Sequence, residues 1–168
     1  MTGESPFFRD TKDDGLPFFS VIIPTYERPA QLAVCLRALA RLDYPRTRFE
    51  VVVVDDGSAA GLPETQLRAE FGERLDLRLL AQRNGGPASA RNFGAREARG
   101  RFLAFTDDDC APDEGWLRAL AARFAETPDR LLGGRTVNAL GANLCAETSQ
   151  LILDVVYAHF NNAQDGAR

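Results

Sequence analysis

The chain has 168 residues, which is the size of about one domain and is long enough to bury a substantial core. Its 20 lysines and arginines against 24 acidic residues give a net charge of −4, which argues against a general nucleic-acid-binding protein. The sequence contains no run of about 18 apolar residues that predicts a transmembrane segment, and no apolar core of a signal peptide.

The three cysteines, Cys35, Cys110 and Cys145, are odd in number and show no paired metal-ligand spacing. Reduced thiols are therefore expected, which predicts a cytoplasmic protein or, in a longer chain, one at the inner face of a membrane. Cys35 falls on the apolar face of a predicted helix, and we expect it to be a core residue.

Predicted strands and helices alternate along the chain after a polar segment at residues 1–16, which is interrupted by Gly and Pro and predicts a flexible tail. Buried strands are predicted at 18–23, 49–54, 75–81 and 101–106, with Pro24 ending the first. Helices are predicted from Pro29, at 62–71, from Pro87 to about Arg99, and around residues 116–124. This order predicts one α/β domain at 17–168, with a mostly parallel, Rossmann-like sheet and helices on both faces.

Polar residues follow each of the four predicted strands. Right-handed crossovers bring the carboxyl ends of successive parallel strands to one edge of a sheet, where open α/β sheets bind ligands. Carboxylates, one arginine and exposed backbone amides suit a ligand that combines a hydrogen-bonding base with phosphates, so we predict a nucleotide. The residues predicted to contact it are Thr25, Tyr26, Glu27, Asp55, Asp56, Arg91, Asp107 and Asp108.

The fourth strand is followed by three carboxylates, Asp107, Asp108 and Asp109, which repel one another unless a cation or a hydrogen-bonded ligand balances them. Mg²⁺ and Mn²⁺ prefer oxygen ligands and usually take one or two carboxylates together with substrate phosphates. Asp107 and Asp109 are the first choice for such a metal site, although Asp108 can replace either. The alternative is a solvated acidic turn that caps the next helix.

Four segments in this order resemble the signatures of the family 2 glycosyltransferases: SVIIPTYER at 20–28, VVVVDDGS at 51–58, NGGPASARNFG at 84–94 and FTDDD at 105–109. The resemblance implies the GT-A fold of nucleotide-diphospho-sugar transferases, incomplete at the C-terminal end of this chain. It also implies a divalent-metal-dependent, inverting transfer of a sugar from a UDP-sugar to a carbohydrate or lipid-linked acceptor, in polysaccharide or cell-envelope synthesis.

By position in these segments, the resemblance assigns Thr25 and Asp56 to the nucleoside, Arg91 to the nucleotide, and Asp107 with Asp109 to the metal on the donor diphosphate. A carboxylate only accepts hydrogen bonds, so Asp56 suits a base edge that offers an N–H, as uracil does. The alternatives are that Asp56 is an ordinary turn residue of an Asp-Gly-Ser sequence and that Arg91 is a solvated helix residue.

The catalytic base is unknown from the sequence. In the family that the chain resembles, a carboxylate well beyond the metal segment takes the acceptor proton, after a Gly-Gly-Phe-Asp-like stretch that this chain lacks. Glu147 and Asp154 are the remaining candidates. We therefore expect the chain to bind donor but to transfer sugar poorly. The alternative functions are a non-catalytic nucleotide-sugar-binding module and a nucleotidyltransferase, the latter disfavoured because a lysine-containing phosphate loop is absent after the first strand.

Residues 146–160 have the apolar spacing of an amphipathic helix. The residues predicted to turn inward from it are Leu151, Ile152, Val155 and Val156.

Overall fold

The computed structural model of the chain describes residues 15–139, 147–148 and 150–155. The chain divides into two compact units, Met1–Arg130 and Leu131–Arg168. The predicted tail at 1–16 lies almost entirely outside the described residues. The region predicted as one domain, 17–168, extends over both units.

A four-stranded parallel sheet forms the centre of the first unit. Its strands are β1 (Phe19–Thr25), β2 (Phe49–Asp55), β3 (Leu77–Ala81) and β4 (Phe102–Phe105), and their order across the sheet is β3-β2-β1-β4. The helices are α1 (Pro29–Leu39), α2 (Glu64–Phe71), α3 (Pro87–Glu97) and α4 (Trp116–Glu126), with a short 3₁₀ turn at Arg46–Arg48. The predicted α/β architecture with a parallel sheet is confirmed.

Both faces of the sheet are covered by helices, as predicted. Alternate residues of a strand face opposite sides, so Ile23 and Val53 pack with α1, α2 and α4, whereas Ile22 and Val54 pack against α3. Fully burying an aliphatic side chain stabilises the folded state by about 1.5–3 kcal/mol. Because both faces are covered, successive residues of β1 and β2 are all buried, which explains their near-continuous apolar runs.

Pro24 lies inside β1, so the prediction that it ends this strand is wrong. β1 pairs with β2 as far as Thr25 but with β4 only as far as Ile22. The carbonyl of Ile22 accepts a hydrogen bond from Thr106 on the β4 side, and that of Thr25 accepts one from Asp56 on the β2 side. Along a central strand, successive residues direct their backbone groups to one neighbouring strand and then to the other, so Pro24, like Ile22, faces the β4 side. The pairing with β4 has already ended there, so the N–H that proline lacks removes no hydrogen bond from the sheet.

Glu50 on β2 is a fully buried carboxylate near the amino edge of the sheet. Its Oε1 accepts hydrogen bonds from Ser20 Oγ at 2.5 Å and from the backbone N–H of Arg99 at 2.6 Å. Its Oε2 lies 2.8 Å from Arg99 Nε and 3.4 Å from Arg78 Nη1. Burial raises the pKa of Glu50, but the hydrogen bonds from Ser20 and Arg99 and the charge of Arg99 hold it below its usual range. Glu50 is therefore ionised, and its carboxylate links β2 to β1, to β3 and to the segment before β4.

In the second unit, the described helical residues 150–155 contact the segment at 131–139 through polar groups. Gln150 Nε2 donates to the Thr136 carbonyl at 2.8 Å, and Arg135 pairs with Asp154 at 3.5 Å. Because the polar side makes these contacts, the apolar side is uncovered by described residues of this unit, and the predicted inward residues Leu151, Ile152 and Val155 are at least 60% exposed. That prediction is wrong for these three, and Val156 lies outside the described residues. None of the described helices combines the length and hydropathy that crossing a bilayer requires.

The buried carboxylate of Glu50 generates a prediction about stability. Glu50→Gln is expected to lower the free energy of unfolding at pH 6 by about 1–3 kcal/mol, because the amide turns a donor toward Arg78 and Arg99. The folded-state pKa lies below the unfolded value of about 4.3, so the contribution is present above that value and is lost as the pH falls through the folded pKa. Urea denaturation at pH 6 and pH 3.5 should show a smaller pH dependence in the variant than in the wild type.

Glu70→Gln is the matched control, because Glu70 is exposed and pairs with Arg37 on the protein surface. We expect it to change stability by less than about 1 kcal/mol. Equal losses in the two variants would contradict the role assigned to Glu50.

Candidate functional site

A cavity of about 370 Å³ opens in the first unit at the carboxyl edge of the sheet, a volume suited to a small-molecule ligand. The loops that follow all four strands line it. β1 and β4 are neighbours although β2 and β3 lie between them in the chain, so the strand order reverses here, which is the point at which open α/β sheets bind ligands. The predicted site residues that line the cavity are Thr25, Tyr26, Asp56, Arg91, Asp107, Asp108 and Asp109.

Asp56, directly after β2, is buried and holds the loop between β3 and α3. Its Oδ1 accepts hydrogen bonds from Gln82 Nε2 at 2.6 Å and from the Gly85 N–H at 2.9 Å, and its Oδ2 accepts one from the Gly86 N–H at 2.7 Å. Burial raises the pKa of Asp56, but these hydrogen bonds hold it below its ordinary value. Oδ2 therefore belongs to an ionised carboxylate and retains a lone pair for one further donor.

Asp55 and Glu27 do not line the cavity. Asp55 Oδ1 accepts hydrogen bonds from both the N–H and the hydroxyl of Ser58, at 3.1 and 2.5 Å. Glu27 has a φ of +56°, and its Oε1 accepts a hydrogen bond from the Ala59 N–H at 2.6 Å. Its own N–H donates to Ser58 Oγ at 2.8 Å. Glu27 therefore fixes the loop after β1 against the loop after β2, whereas Asp55 holds Ser58 in place within the latter loop.

Asp108 connects the ends of β1 and β4. Both Asp108 and Thr25 are buried, and Thr25 Oγ1 donates a hydrogen bond of 2.7 Å to Asp108 Oδ2. Arg28 Nη1 lies 3.6 Å from Asp108 Oδ1. Because its oxygens face protein donors, Asp108 is less suited than its two neighbours to bind an incoming cation.

Asp107 and Asp109 flank Asp108, and each side chain is about half exposed. Asp107 pairs with Arg91 of α3, and Asp109 Oδ2 lies 3.3 Å from Arg28 Nη1. The structure thus brings together the two carboxylates predicted to bind metal and the arginine predicted to bind nucleotide.

The donor chemistry of Asp107 and Asp109 fits Mg²⁺ or Mn²⁺, which take oxygen ligands and often only one or two carboxylates. No group of three or more histidine, cysteine, aspartate or glutamate side chains within the described residues is arranged to hold a metal. A cation here would therefore need further oxygen ligands from water or from a bound phosphate.

Two residues that reasoning from the sequence missed, Arg28 and Gln82, organise the predicted carboxylates. Arg28 lines the cavity and contacts Asp108 and Asp109, whereas Gln82 donates to Asp56. Each residue comes shortly after a strand, at the carboxyl edge, and that position is the sequence signal by which both were recognisable.

Cys35 is a core residue of α1, as expected from its place on the apolar face. Burial first, and then the electrostatic influence of Cys110 and of the acidic residues Asp107–Asp109, raises the pKa of the Cys35 thiol to about 12. Its thiol therefore remains neutral at physiological pH and is a weak nucleophile.

Comparison with known proteins gives a family match over most of the chain. The model of glycosyl transferase family 2 matches residues 20–162. The chain is 38% identical over 121 residues to the glycosyltransferase AglE of Haloferax volcanii. It is also 38% identical over 110 residues to the poly(ribitol-phosphate) beta-N-acetylglucosaminyltransferase TarS of Staphylococcus aureus. These matches cover 71% and 64% of this chain but 39% and 19% of the two relatives, so the chain spans less than two-fifths of their length.

Solved structures show the same similarity in three dimensions. S. aureus TarS 1-349 in complex with UDP-GlcNAc gives a TM-score of 0.60 at 34% identity, covering 71% of this chain and 36% of that one. The mannosyltransferase PcManGT from Pyrobaculum calidifontis, in complex with GDP-Man and Mn²⁺, gives a TM-score of 0.54 at 36% identity, and the match covers 60% of this chain and 30% of that one. The predicted GT-A type of α/β fold is thereby confirmed.

The buried bond between Thr25 and Asp108 generates a prediction about the stability of this edge. Thr25→Val is expected to lower the free energy of unfolding by about 1–3 kcal/mol, because it leaves a buried carboxylate oxygen without its hydroxyl donor. Thr25→Ser keeps the hydroxyl and should cost less. Chemical denaturation measures both, and Thr25→Val should cost less when it is made in an Asp108→Asn background than in the wild type. Additive effects of the two substitutions would contradict the proposed coupling.

Proposed function

The chain belongs to glycosyl transferase family 2, and we propose that its cavity binds the nucleotide-diphospho-sugar donor of a sugar transfer. The observation that carries the proposal is the convergence of four strand ends on one cavity with a buried carboxylate acceptor, Asp56, and half-exposed carboxylate–arginine pairs. Such a set of groups suits a ligand with a hydrogen-bonding base at one end and a charged diphosphate at the other.

We propose a uridine nucleotide as the donor, with the base bound at Asp56. The free lone pair on Asp56 Oδ2 suits the imide N–H of uracil, because an ionised carboxylate accepts hydrogen bonds and cannot donate them. Tyr26, whose side chain is half exposed in the cavity, and Thr25 complete the proposed nucleoside contacts. The relative TarS has been solved in complex with UDP-GlcNAc, which supports this choice.

We propose that Asp107 and Asp109 hold Mn²⁺ or Mg²⁺ on the donor diphosphate and that Arg91 pairs with its phosphates. When bound, the cation would neutralise the negative charge that develops on the departing nucleoside diphosphate. Three observations support this assignment. Both carboxylates are half exposed, both supply the oxygen atoms that these cations prefer, and the relative PcManGT has been solved with Mn²⁺.

Asp108, Glu27 and Asp55 are proposed to act by positioning the loops that carry the ligand-binding groups. Their oxygens accept hydrogen bonds from Thr25, from the Ala59 N–H and from Ser58. This proposal gives them a different part from the direct nucleotide contacts expected from the sequence.

The proposed reaction transfers the sugar to a hydroxyl of a carbohydrate or lipid-linked acceptor with inversion at the anomeric carbon. It needs a base for the hydroxyl proton. Of the two candidates from the sequence, Asp154 is already engaged with Arg135 and Gln150, and Glu147 is exposed. Neither has a contact that supports a catalytic role, so no base is proposed.

The proposed donor site predicts metal-dependent stabilisation by a nucleotide. In a thermal-unfolding screen of UDP-sugars and GDP-sugars, we expect a UDP-sugar to raise the melting temperature more with Mn²⁺ or Mg²⁺ than with a chelator. A ligand at about 100 times its Kd stabilises by about 2.7 kcal/mol, which corresponds to a shift of several degrees for a chain of this size. Equal shifts with and without the chelator would remove the metal from the proposal, and no shift with any donor would overturn the donor site.

Asp56 and Asp109 should act on different ends of the same ligand. Asp56→Ala is expected to weaken the binding of uridine and of UDP alike by about tenfold or more, since both carry the base. Asp109→Ala should leave uridine binding unchanged and remove mainly the metal-dependent increase in UDP affinity. Isothermal titration calorimetry measures both, and unchanged uridine affinity in the Asp56 variant would show that the base pocket is elsewhere.

Asp56→Asn serves as the control for folding in this experiment. The side chain keeps its shape, and its oxygen still accepts the hydrogen bonds from Gln82 and Gly85, but the amide turns a donor toward the Gly86 N–H, so a modest loss of stability is expected. If Asp56→Asn is fully folded at the temperature of the titration but loses uridine affinity, the loss is due to the missing acceptor rather than to an unfolded loop.

A further inference from the structure

Arg28 occupies a position in the cavity from which it reaches two of the three carboxylates after β4. It lies three residues after the end of β1, and its Nη1 is 3.3 Å from Asp109 Oδ2 and 3.6 Å from Asp108 Oδ1. These contacts join residues that are 80 or more positions apart in the chain. In the absence of a ligand, the positive charge of Arg28 therefore balances the carboxylate of Asp109.

The pair between Arg28 and Asp109 is easily exchanged. Both side chains are more than half exposed, 54% and 55%, and exposed ion pairs of this kind contribute little to stability because water screens them. Asp108 Oδ1, at 3.6 Å, is the more distant partner of Arg28, and the other oxygen of this buried carboxylate, Oδ2, keeps its hydrogen bond from Thr25 whether or not Arg28 remains. Releasing Arg28 from Asp109 therefore costs little and leaves the loop anchored.

A guanidinium released at this point has a suitable new partner in the proposed ligand. Arginine is always charged and presents donors in a planar fork that matches the oxygens of a phosphate. Asp109 at the same time has a suitable new partner in a divalent cation, which prefers carboxylate oxygens. The exchange replaces the pair of Arg28 and Asp109 by two pairs of opposite charges, and Asp108 keeps the hydrogen bond from Thr25.

We propose that Arg28 binds the diphosphate of the donor, and that it does so by leaving Asp109 when a divalent cation takes over that carboxylate. This inference rests on the proposed function, because it requires a nucleoside diphosphate and a cation in this cavity. It adds Arg28 to the residues proposed to bind phosphate. It also states that Arg28 and the cation compete for Asp109, whereas Arg28 and the diphosphate attract one another.

The competition predicts effects of opposite sign when Arg28 is removed. Arg28→Gln is expected to bind Mn²⁺ alone about two- to fivefold more tightly, because the competing ion pair is gone. The same variant is expected to bind UDP in the presence of Mn²⁺ about tenfold or more weakly, because the charge-assisted bonds to phosphate are lost. Uridine, which lacks phosphate, should bind with unchanged affinity.

Arg37→Gln is the matched control. Arg37 is also half exposed and paired with one carboxylate, Glu70 at 2.8 Å, but it lies on α1 and does not line the cavity. We expect this variant to bind Mn²⁺, UDP and uridine as the wild type does. Arg28→Lys, which keeps the charge but loses the planar fork, should recover part of the UDP affinity that Arg28→Gln loses.

The 168-residue chain is titrated by calorimetry with MnCl₂, with uridine, and with UDP or GDP in the presence of Mn²⁺. An increase in Mn²⁺ affinity together with a decrease in UDP affinity in Arg28→Gln supports the exchange, since a general loss of structure lowers both. Parallel decreases, or an unchanged UDP affinity, overturn it. If the wild type itself binds neither UDP nor GDP, the proposed function has failed, which is a separate result from a wild type that binds and an Arg28 variant that equals it.

Discussion

The organisation of the first unit depends on how carboxylates that repel one another can share one edge of a parallel sheet. The carboxylates at this edge are Glu27, Asp55, Asp56, Asp107, Asp108 and Asp109. The three buried ones, Asp55, Asp56 and Asp108, accept hydrogen bonds mainly from hydroxyl, amide and backbone N–H groups that the fold holds in place. The half-exposed pair, Asp107 and Asp109, is neutralised by arginines. Since a buried carboxylate is costly without donors, the buried set must keep its protein donors, and of the two sets only the half-exposed pair can exchange partners at low cost.

The opposite edge of the sheet fixes the position of one of those arginines. Glu50 binds the backbone and side chain of Arg99, directly after α3, and Ser20 Oγ accepts the N–H of Gly100 at 2.8 Å. Gly94 lets α3 lie against the sheet, because a Cβ there would come within 2.7 Å of an Ile22 methyl carbon. A helix held at its end and along its length has little freedom at its start. Arg91 is therefore carried by a rigid helix to the carboxylate that it faces.

The sequence predicted the elements best where burial on both faces imposed a continuous apolar run, as in β1 and β2. It failed where the answer depended on a neighbour. Pro24 is tolerated inside β1 only because β4 is shorter than β2, which no local pattern reveals. The apolar spacing around Leu151 predicts a helical face, but it does not specify the partner that covers this face.

The same limit applies to the site. Residues after the strands were identified because topology alone sends them to one edge, but the partners of each carboxylate are set by loop geometry. Glu27 at a positive φ turns its carboxylate to Ala59, so that its neighbours in sequence, Tyr26 and Arg28, line the cavity.

Charge balance links the binding of the proposed diphosphate to the binding of the proposed cation. A diphosphate that entered this cavity without a cation would face Asp107 and Asp109, and its attraction to Arg28 and Arg91 would compete with the ion pairs that these arginines already make. A cation that entered alone would have to displace the same arginines and leave them without partners. If both entered together, each carboxylate would gain the cation and each arginine would gain a phosphate oxygen. In the proposed site, cation and diphosphate would therefore favour one another's binding without any change in the position of the sheet.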